Sequence, residues 1–411
     1  MNVCFFNRSY WPDQAATGQL LTELAEDLVS RHGCSVSVVA GRALHASSES
    51  RHSRRIVERE TRNGVTILRA NGTRFSPVRF AGRAANYLSY FTSAALAGLA
   101  IGRPDVVVSL TDPPIVGLAA LSAARRSGAR FVFLCEDIFP EVASLLEDFH
   151  NETVNRALDR INRHLLRTAD ATVALGERMR RRLVDEKGAP SSRVQVIHNW
   201  ADCDAIVPGA RDNPFSRAHG LADRFVVMHS GNVGLSQNLD VLIEAAARLQ
   251  SKEQLVIVIV GDGARRPALE RDVERRGLAN VRFLPYTPKG RLHDSFASAD
   301  AFIVSLKAGI EGYIVPSKLY GILAAGRPFV AAVDDSCEVA TIARDHGCGV
   351  LAHANDPDSL AAAIVSLYDN PAEARAMGER ARRAAFRFDR RVAVQAYYDL
   401  FARITSVAQA A

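Results

Sequence analysis

Cysteine is sparse and unpatterned in this chain. Six residues, Cys4, Cys34, Cys135, Cys203, Cys337 and Cys348, are scattered without a C-x-x-C pair. That spacing argues against a zinc site or a disulfide framework, and several of the six lie inside apolar runs, as buried free thiols in a reducing compartment do. No complete Gly-x-Gly-x-x-Gly follows the first apolar run, so a nicotinamide dinucleotide site has little support. The opening MNVCFF starts as a strand and shows no charged n-region or cleavage site, so export is not expected. The stretch from Ala84 to Gly102 lacks charge altogether, but Asn86, Ser89, Thr92, Ser93 and two tyrosines interrupt it. It reads as a buried or interface helix rather than a membrane span.

What is present is a long, ordinary globular composition. The chain has 411 residues, 48% hydrophobic and 23% charged, which implies two domains. The net charge of +6 is uneven: Lys plus Arg outnumber Asp plus Glu by 26 to 20 in residues 1–200 and match them at 25 each in 201–411. Residues 51–83 hold nine arginines and two glutamates. Such a segment is either a solvated surface or an attractor for an anionic lipid surface or a phosphorylated acceptor. Nucleic acid is not an expected partner, because no recognised binding module accompanies the charge.

Periodicity gives the fold class, α/β. Asn2–Phe6 is an apolar run, a 3.6-residue pattern follows through Leu20, Leu21, Leu24, Ala25, Leu28 and Val29, Gly33 stops it, and Ser35–Val39 is the next strand. Further strands are expected at 105–110, 130–134, 171–174 and 194–197. After a loose stretch, VPGARDNPFSRAHG, the cycle restarts with strands at 224–228, 255–260, 281–284, 301–304 and 329–333. The expected organisation is a Rossmann-like domain over 1–203, a linker over 204–222, a second Rossmann-like domain over 223–385, and a C-terminal helix over 386–411 that packs back on the first domain. The wider helical tail spans roughly 358–407. Ligands of such sheets sit beyond the carboxyl ends of the strands, so two facing sheets put a site in the cleft between them.

Four segments carry chemistry. In GIEGYIVPSKLYGILAAGRP (309–328), a helix of about ten residues is expected from Pro316 to the stop at Gly326-Arg327-Pro328. Lys318 in its first turn opposes the helix dipole, unless an anion such as a diphosphate binds there or the lysine is an ordinary surface residue. Gly321 costs about 1 kcal/mol inside a helix, which suggests that something large approaches that face. HSGNVGLSQNLDVLIEAA (229–246), with Gly231 and Gly234, and VIVGDGARRPALE (258–270), with Gly261, Asp262 and Gly263, are strand–glycine loop–helix units. Arg265 and Arg266 either reach a phosphate or are solvated. LCEDIFPEV (134–142) brings Glu136, Asp137 and Glu141 to a strand end, as a base, as sugar-hydroxyl ligands, or with Asp137 as a helix cap. In SYWPDQAATGQ (9–19), Gly18 and small residues fit a loop near a bulky ligand.

With these pieces assembled, the chain resembles the family 4 glycosyltransferases of the GT-B fold. The resemblance rests on TELAEDLVSR, TVALGERMRRRL with VQVIHNWAD, GNVGLSQNLDVLIEA, VGDG, and EG with PSKLYGILAAGRP. It looks closest to the bacterial exopolysaccharide and capsule branch, similar to fucosaminyl- and colanic-acid-type transferases. It implies two Rossmann-like domains around a central cleft and transfer of a hexosyl or N-acetylhexosaminyl group from a nucleotide-diphosphate sugar. It also implies retention of configuration and no obligatory metal or other cofactor. The acceptor would be a polyprenyl-diphosphate-linked glycan, met by the first domain at an anionic membrane surface on the cytoplasmic side.

Under this resemblance Asp137, Glu311 and Lys318 are the catalytic candidates. The donor-binding set is Gly231, Asn232, Gly234, Gly261, Asp262, Gly263, Arg265, Tyr286, Gly312, Tyr313, Pro316, Ser317 and Lys318. Gly18, Arg74, Phe75, Arg79, Phe80 and Arg83 are assigned to acceptor or membrane. Three positions depart from the family. Gly321 stands where the second of two glutamates contacts ribose, ten residues after Glu311 rather than eight. Asn232 and Gln237 replace a basic pair, leaving Lys318, Lys307, Arg265 and helix N–H groups to neutralise a diphosphate. A nucleotide-sugar 2-epimerase of the same fold and a non-catalytic sugar-nucleotide-binding assembly protein are the alternatives.

Overall fold

The computed structural model describes residues 1–13, 15–42, 56–75, 80–146 and 151–409. The chain divides into two compact units. One comprises Met1–His198 together with Ala393–Ala411, and the other Asn199–Val392.

In the amino-terminal unit the strands are β1 (Asn2–Phe6), β2 (Ser35–Ala40), β3 (Val57–Arg62), β4 (Val65–Ala70), β5 (Val106–Ser109), β6 (Arg130–Cys135), β7 (Ala171–Ala174) and β8 (Val194–Val196). They form one sheet in the order β3-β4-β2-β1-β5-β6-β7-β8. Every pairing is parallel except the β3–β4 hairpin. That hairpin is not among the expected strands; it turns at Asn63 and Gly64, both with positive φ, as two-residue hairpin turns require. β1 lies between β2 and β5, and Val3–Phe6 are fully buried, as a central parallel strand requires. The helix Ala16–His32 ends at Gly33, whose φ of 62° and N–H bonds to Leu28 and Val29 close it.

The carboxy-terminal unit holds β9 (Phe225–Ser230), β10 (Leu255–Val260), β11 (Val281–Leu284), β12 (Ala301–Ser305), β13 (Phe329–Ala332) and β14 (Gly349–Ala352), all parallel, in the order β11-β10-β9-β12-β13-β14. β10, LVIVIV, is buried at every residue. Its Ile257 and Ile259 join Leu242, Ile243, Ile303, Val330 and Ile364 in the core. The stretch preceding β9 is not structureless: Asn213 caps a short helix, Pro214–Ala218, through bonds from the Phe215 and Ser216 N–H groups.

The helical tail is three helices, Pro357–Asp369, Pro371–Ala385 and Arg390–Gln409. Pro357 and Pro371 each open one, where a missing N–H costs nothing. The last helix returns to the amino-terminal unit, where Tyr397, Leu400 and Phe401 are buried and Phe401 meets the Phe5 ring at 6.4 Å. All six cysteines are buried free thiols.

Both sheets contain the arrangement in which the strand order reverses beside the first strand of the unit. The reversal lies between β1 and β5 in one unit and between β9 and β12 in the other. Loops leaving those strand ends are where doubly wound sheets bind ligands.

Candidate functional site

In the carboxy-terminal unit, the ladder between β9 and β12 pairs only Ala301 with Val227 and Phe302 with Met228. His229 and Ser230 therefore run on beyond the last β12 pairing, held on their other side by β10. His229 is fully buried. The Lys318 Nζ lies 3.2 Å from its Nε2 and 3.5 Å from its Nδ1, and the same Nε2 lies 3.2 Å from the Asn232 carbonyl oxygen. Lys318 is partly buried, and that desolvation holds it down at about 7. Burial first, and the neighbouring lysine second, hold His229 well below the usual imidazole range. No ion pair involves Lys318 among the described residues.

The glycine loops explain how the lysine gets there. Gly261 and Gly263 have φ of 141° and 156°; a Cβ on Gly261 would sit 1.9 Å from the Gly231 oxygen, and one on Gly263 2.4 Å from the Val233 oxygen. The two loops interlock through bonds from Gly231 to Val260, Val233 to Asp262 and Arg265 to Val233. The sequence suggests room for a ligand at these glycines; in the fold they serve close packing of one loop on the other. Gly231 borders the lysine stem: a Cβ added there would lie 3.6 Å from the Lys318 Cε. Gly234 donates its N–H to the Gln237 side chain at 3.0 Å, so Gln237 organises the loop that Asn232 exposes. Asp262 is exposed and holds the Gly263 N–H. Tyr286, 46% exposed, places its hydroxyl by the Asp262 backbone.

Several expectations change. The helix expected from Pro316 is Lys318–Ala324, seven residues, because Pro316 and Ser317 form a turn whose carbonyls accept the Leu319 and Tyr320 N–H groups. At about 10 Å it is two turns, so the dipole argument weakens and the buried imidazole becomes the neighbour that matters. Ser317 supplies no side-chain cap. Glu311 is buried beside a Gly312 of positive φ and bridges to Ile314; burial first, with the charge of Glu311 adding to it, pushes the Cys337 thiol up. Tyr313 and Pro316 are partly buried on the same loop. Gly321 does not face a ligand: a Cβ there would lie 3.0 Å from the Phe296 ring, with Ile206 at 3.8 Å. Arg265 is engaged by Asp240, and Arg266 by the Gly261 and Leu284 carbonyls and Glu270.

In the amino-terminal unit the reversal point is acidic. Asp112, after β5, accepts Arg8 Nε at 3.2 Å and Ser9 Oγ at 2.7 Å, and Arg8 lies over the Tyr87 ring at 5.2 Å. Asp137, after β6, is raised to about 7 by burial and then by the charge of Asp112; Glu136 is raised to about 8 by burial and then by Asp137. Asp137 does not cap the following helix, Glu141–Leu145, which has no side-chain cap. Glu141 is not a free carboxylate at the strand end either. It pairs with the buried Lys187, which also contacts Asp159 at 2.7 Å and the Phe139 carbonyl at 3.3 Å, fixing the loop that carries Asp137. Gly18 lies against its own loop: a Cβ added there would sit 3.3 Å from the Ser9 and Tyr10 backbone, so its smallness serves packing.

Of the membrane candidates, Arg79 lies outside the described residues, and Phe80 opens the helix Phe80–Ala97. Arg74 and Phe75 are exposed, the Phe75 backbone being held by Asn86, and Arg83 is partly buried. Leu88, Leu96 and Leu99 extend an exposed apolar face beyond them. Among the described residues no helix is long and apolar enough to cross a membrane.

Sequence reasoning missed His229, Arg8, Asp112 and Lys187. A histidine ending the apolar run FVVMH was the available signal for the first; the others matter through partners 104, 103 and 46 residues away.

The architecture defines a GT-B protein. Solved structures share it over nearly the whole chain: Anabaena HepE in complex with UDP and glucose (18% identity, TM-score 0.74, 98% of this chain and 100% of that one) and WaaG, a glycosyltransferase involved in lipopolysaccharide biosynthesis (16%, 0.71, 98% and 99%). The family described as Glycosyl transferases group 1 matches residues 212–384, and the Glycosyl transferase 4-like domain matches 16–200. The chain belongs to the glycosyltransferases that these two models describe. Similar curated proteins include WbjE of Pseudomonas aeruginosa, named as a probable glycosyltransferase (29% identity), and WcaI of Escherichia coli K12, described for colanic acid biosynthesis (27%). Each alignment covers 64% of this chain and 66% of the relative, just under two thirds.

Proposed function

We propose that this protein is a retaining glycosyltransferase that moves a sugar from a nucleotide-diphosphate donor to a lipid-linked glycan in cell-surface polysaccharide biosynthesis. The observation that carries this reading is Lys318: a partly buried lysine beside the carboxyl end of β9, with no ion-pair partner among the described residues. Such a cation is incomplete without an anion, and a diphosphate supplies one. Anabaena HepE, which shares the fold, is described in complex with UDP and glucose, and this supports the same ligand class here.

In this reading the bond between the sugar's anomeric carbon and the diphosphate oxygen breaks, and the oxygen leaves with the electron pair. Lys318 stabilises the charge that develops, joined by Arg265 when it leaves Asp240. Glu311 holds hydroxyls of the donor sugar, and Tyr286 offers an exposed ring to the base. Asp137 takes the proton of the acceptor hydroxyl whose oxygen bonds to the anomeric carbon. Raised to about 7, it is available as a base near neutral pH. No metal is required for these roles. The exposed Phe75, Leu88, Leu96 and Leu99, with Arg74, would rest on an anionic membrane surface at the cytoplasmic face, where a polyprenyl-diphosphate acceptor is held.

Lys318→Ala tests the central assignment. Transfer to a lipid-linked acceptor should fall by roughly two to three orders of magnitude with the fold intact by circular dichroism. Unchanged transfer would remove the lysine from the reaction. Gly321 and the loop-bound Gln237 favour a second reading, a protein that binds the sugar nucleotide without turning it over. Donor binding without transfer or hydrolysis by the wild type would select it.

A further inference from the structure

We infer that the carboxy-terminal unit holds an anion site of its own, for a phosphorylated sugar or nucleotide, in an arginine-lined cleft at the far end of β9 from Lys318. The cleft encloses about 590 Å³ and is lined by Phe225, which opens β9, by Asp300 just before β12, and by Pro328 just before β13. These are the amino ends of three strands, whereas Lys318 lies beside the carboxyl end of β9. The length of that strand, about 17 Å, separates the two places.

One wall is the helix Pro371–Ala385. Arg375, Gly378, Glu379, Arg382 and Arg383 recur on it at three- and four-residue spacing, which keeps them on one face. Gly378 lets that face close on the turn Gly326-Arg327-Pro328, since a Cβ there would strike the Gly326 oxygen. The opposite wall adds Pro208 and Phe225, apolar surfaces on which a ring can lie.

The charge in the cleft is unbalanced. Five arginines line it, Arg211, Arg327, Arg375, Arg382 and Arg383, against two carboxylates, Asp300 and Glu379. Asp300 is already engaged, by Arg211 Nε at 3.0 Å and by the Val226 N–H at 2.7 Å. Arg382 donates only to carbonyls, those of Cys203, Ile206 and Ala324, which fixes the fold without neutralising the cation. Arg327 donates from Nη2 alone, to the Gly209 and Ala297 carbonyls at 2.8 and 2.7 Å, and its Nε is buried with no acceptor. Arg375 and Arg383 are exposed and make no ion pair among the described residues; Glu379, one turn from each, pairs with neither.

Four guanidinium groups thus share one unengaged acid. A cleft lined by one sign of charge focuses its field on an incoming anion, and planar guanidinium forks match phosphate oxygens. The volume is that of a small-ligand site and larger than a bare phosphate fills. Phosphate for the arginines and a ring for Pro208 and Phe225 define the ligand class.

The probes are inorganic phosphate, glucose 6-phosphate and UMP, titrated calorimetrically into the full chain. Glucose 6-phosphate or UMP should bind at least about fivefold more tightly than inorganic phosphate, and less tightly as salt is added. Arg375→Ala combined with Arg383→Ala, both exposed positions, should weaken that binding by about tenfold or more with an unchanged melting temperature. Glu379→Gln should tighten it about two- to fivefold by removing the one competing acid. Lys318→Ala should leave it unaltered, which separates this cleft from the loops around that lysine. The inference is overturned if neither ring-bearing probe binds, if inorganic phosphate binds as tightly, or if affinity survives the double arginine variant. Loss of binding in Lys318→Ala, or no gain in Glu379→Gln, overturns it as well. The functional reading stands apart from every one of these outcomes, because it rests on the other end of the strand.

Discussion

The two units run the same strand order through the point of reversal and finish it with opposite electrostatics. In the carboxy-terminal unit the strand ends deliver a lysine and a neutral histidine, with no acid paired to the lysine among the described residues. In the amino-terminal unit they deliver Asp112, Asp137 and Glu136, with one arginine, Arg8, against the first. Desolvation acts on both, lowering the lysine and raising the carboxylates. One region is left short of negative charge, the other holds protons it can exchange near neutrality. A shared scaffold therefore does not determine chemistry; the few residues following each strand do.

That contrast can be broken at either end. The largest expected effect is Asp137→Asn, which should lower kcat by about two to four orders of magnitude while leaving nucleotide affinity unchanged. The wild-type rate should climb with pH through about 7 as Asp137 ionises, because a base acts only when deprotonated, and the variant should lack that limb. Loss of nucleotide binding instead would mean the two units do not divide the work in this way.

A second test separates surface from site. Leu88→Glu with Leu96→Glu should reduce binding to anionic phospholipid vesicles by tenfold or more, since each leucine contributes about 1.5–3 kcal/mol when buried. Thermal stability and nucleotide binding should not move, the two side chains being 59% and 45% exposed. Vesicle binding that persists in flotation assays would assign the attachment elsewhere.

The smallest effect concerns Gly321→Ala. Helix propensity favours alanine by about 1 kcal/mol, but the new Cβ meets the Phe296 ring at 3.0 Å, and crowding of a packed core costs about 1–3 kcal/mol. The balance should be a loss of about 1 kcal/mol in urea unfolding. A gain would show that Phe296 yields, and would reopen this position to a ligand-facing side chain.

Most of the parallel strands were legible as short apolar runs, although β4 (VTILRA) and β14 (GVLA) were not among the expected strands. β10 and β11 match the expected ranges to the residue, and β9, β12 and β13 differ at their ends. β3, VERETR, was hidden because an edge strand can be polar on both faces, although the Asn63-Gly64 pair marked its turn. The tail read as one helical region because period alone does not register a break; Asn370-Pro371 and Asp389 divide it. At the site, Lys318 was found from its local conflict with a helix end. Its actual neighbour, 89 residues earlier, was not, since a pairing across a sheet leaves no periodic trace. Glu141 misled for the same reason: only the fold brings Lys187 to it.

The last helix gives the protein a biosynthetic constraint. Residues 393–411 complete the unit that begins at Met1, and Phe5 finds Phe401 only across nearly four hundred residues of chain. On a ribosome adding about 5–20 residues per second, the first sheet waits roughly ten to forty seconds for its closing piece while the whole second unit emerges. The second unit, continuous in sequence, can fold in that interval. The order of synthesis thus makes the nucleotide-binding candidate the early folder and the acceptor-facing candidate the late one, with an incomplete apolar seam exposed to chaperones in between.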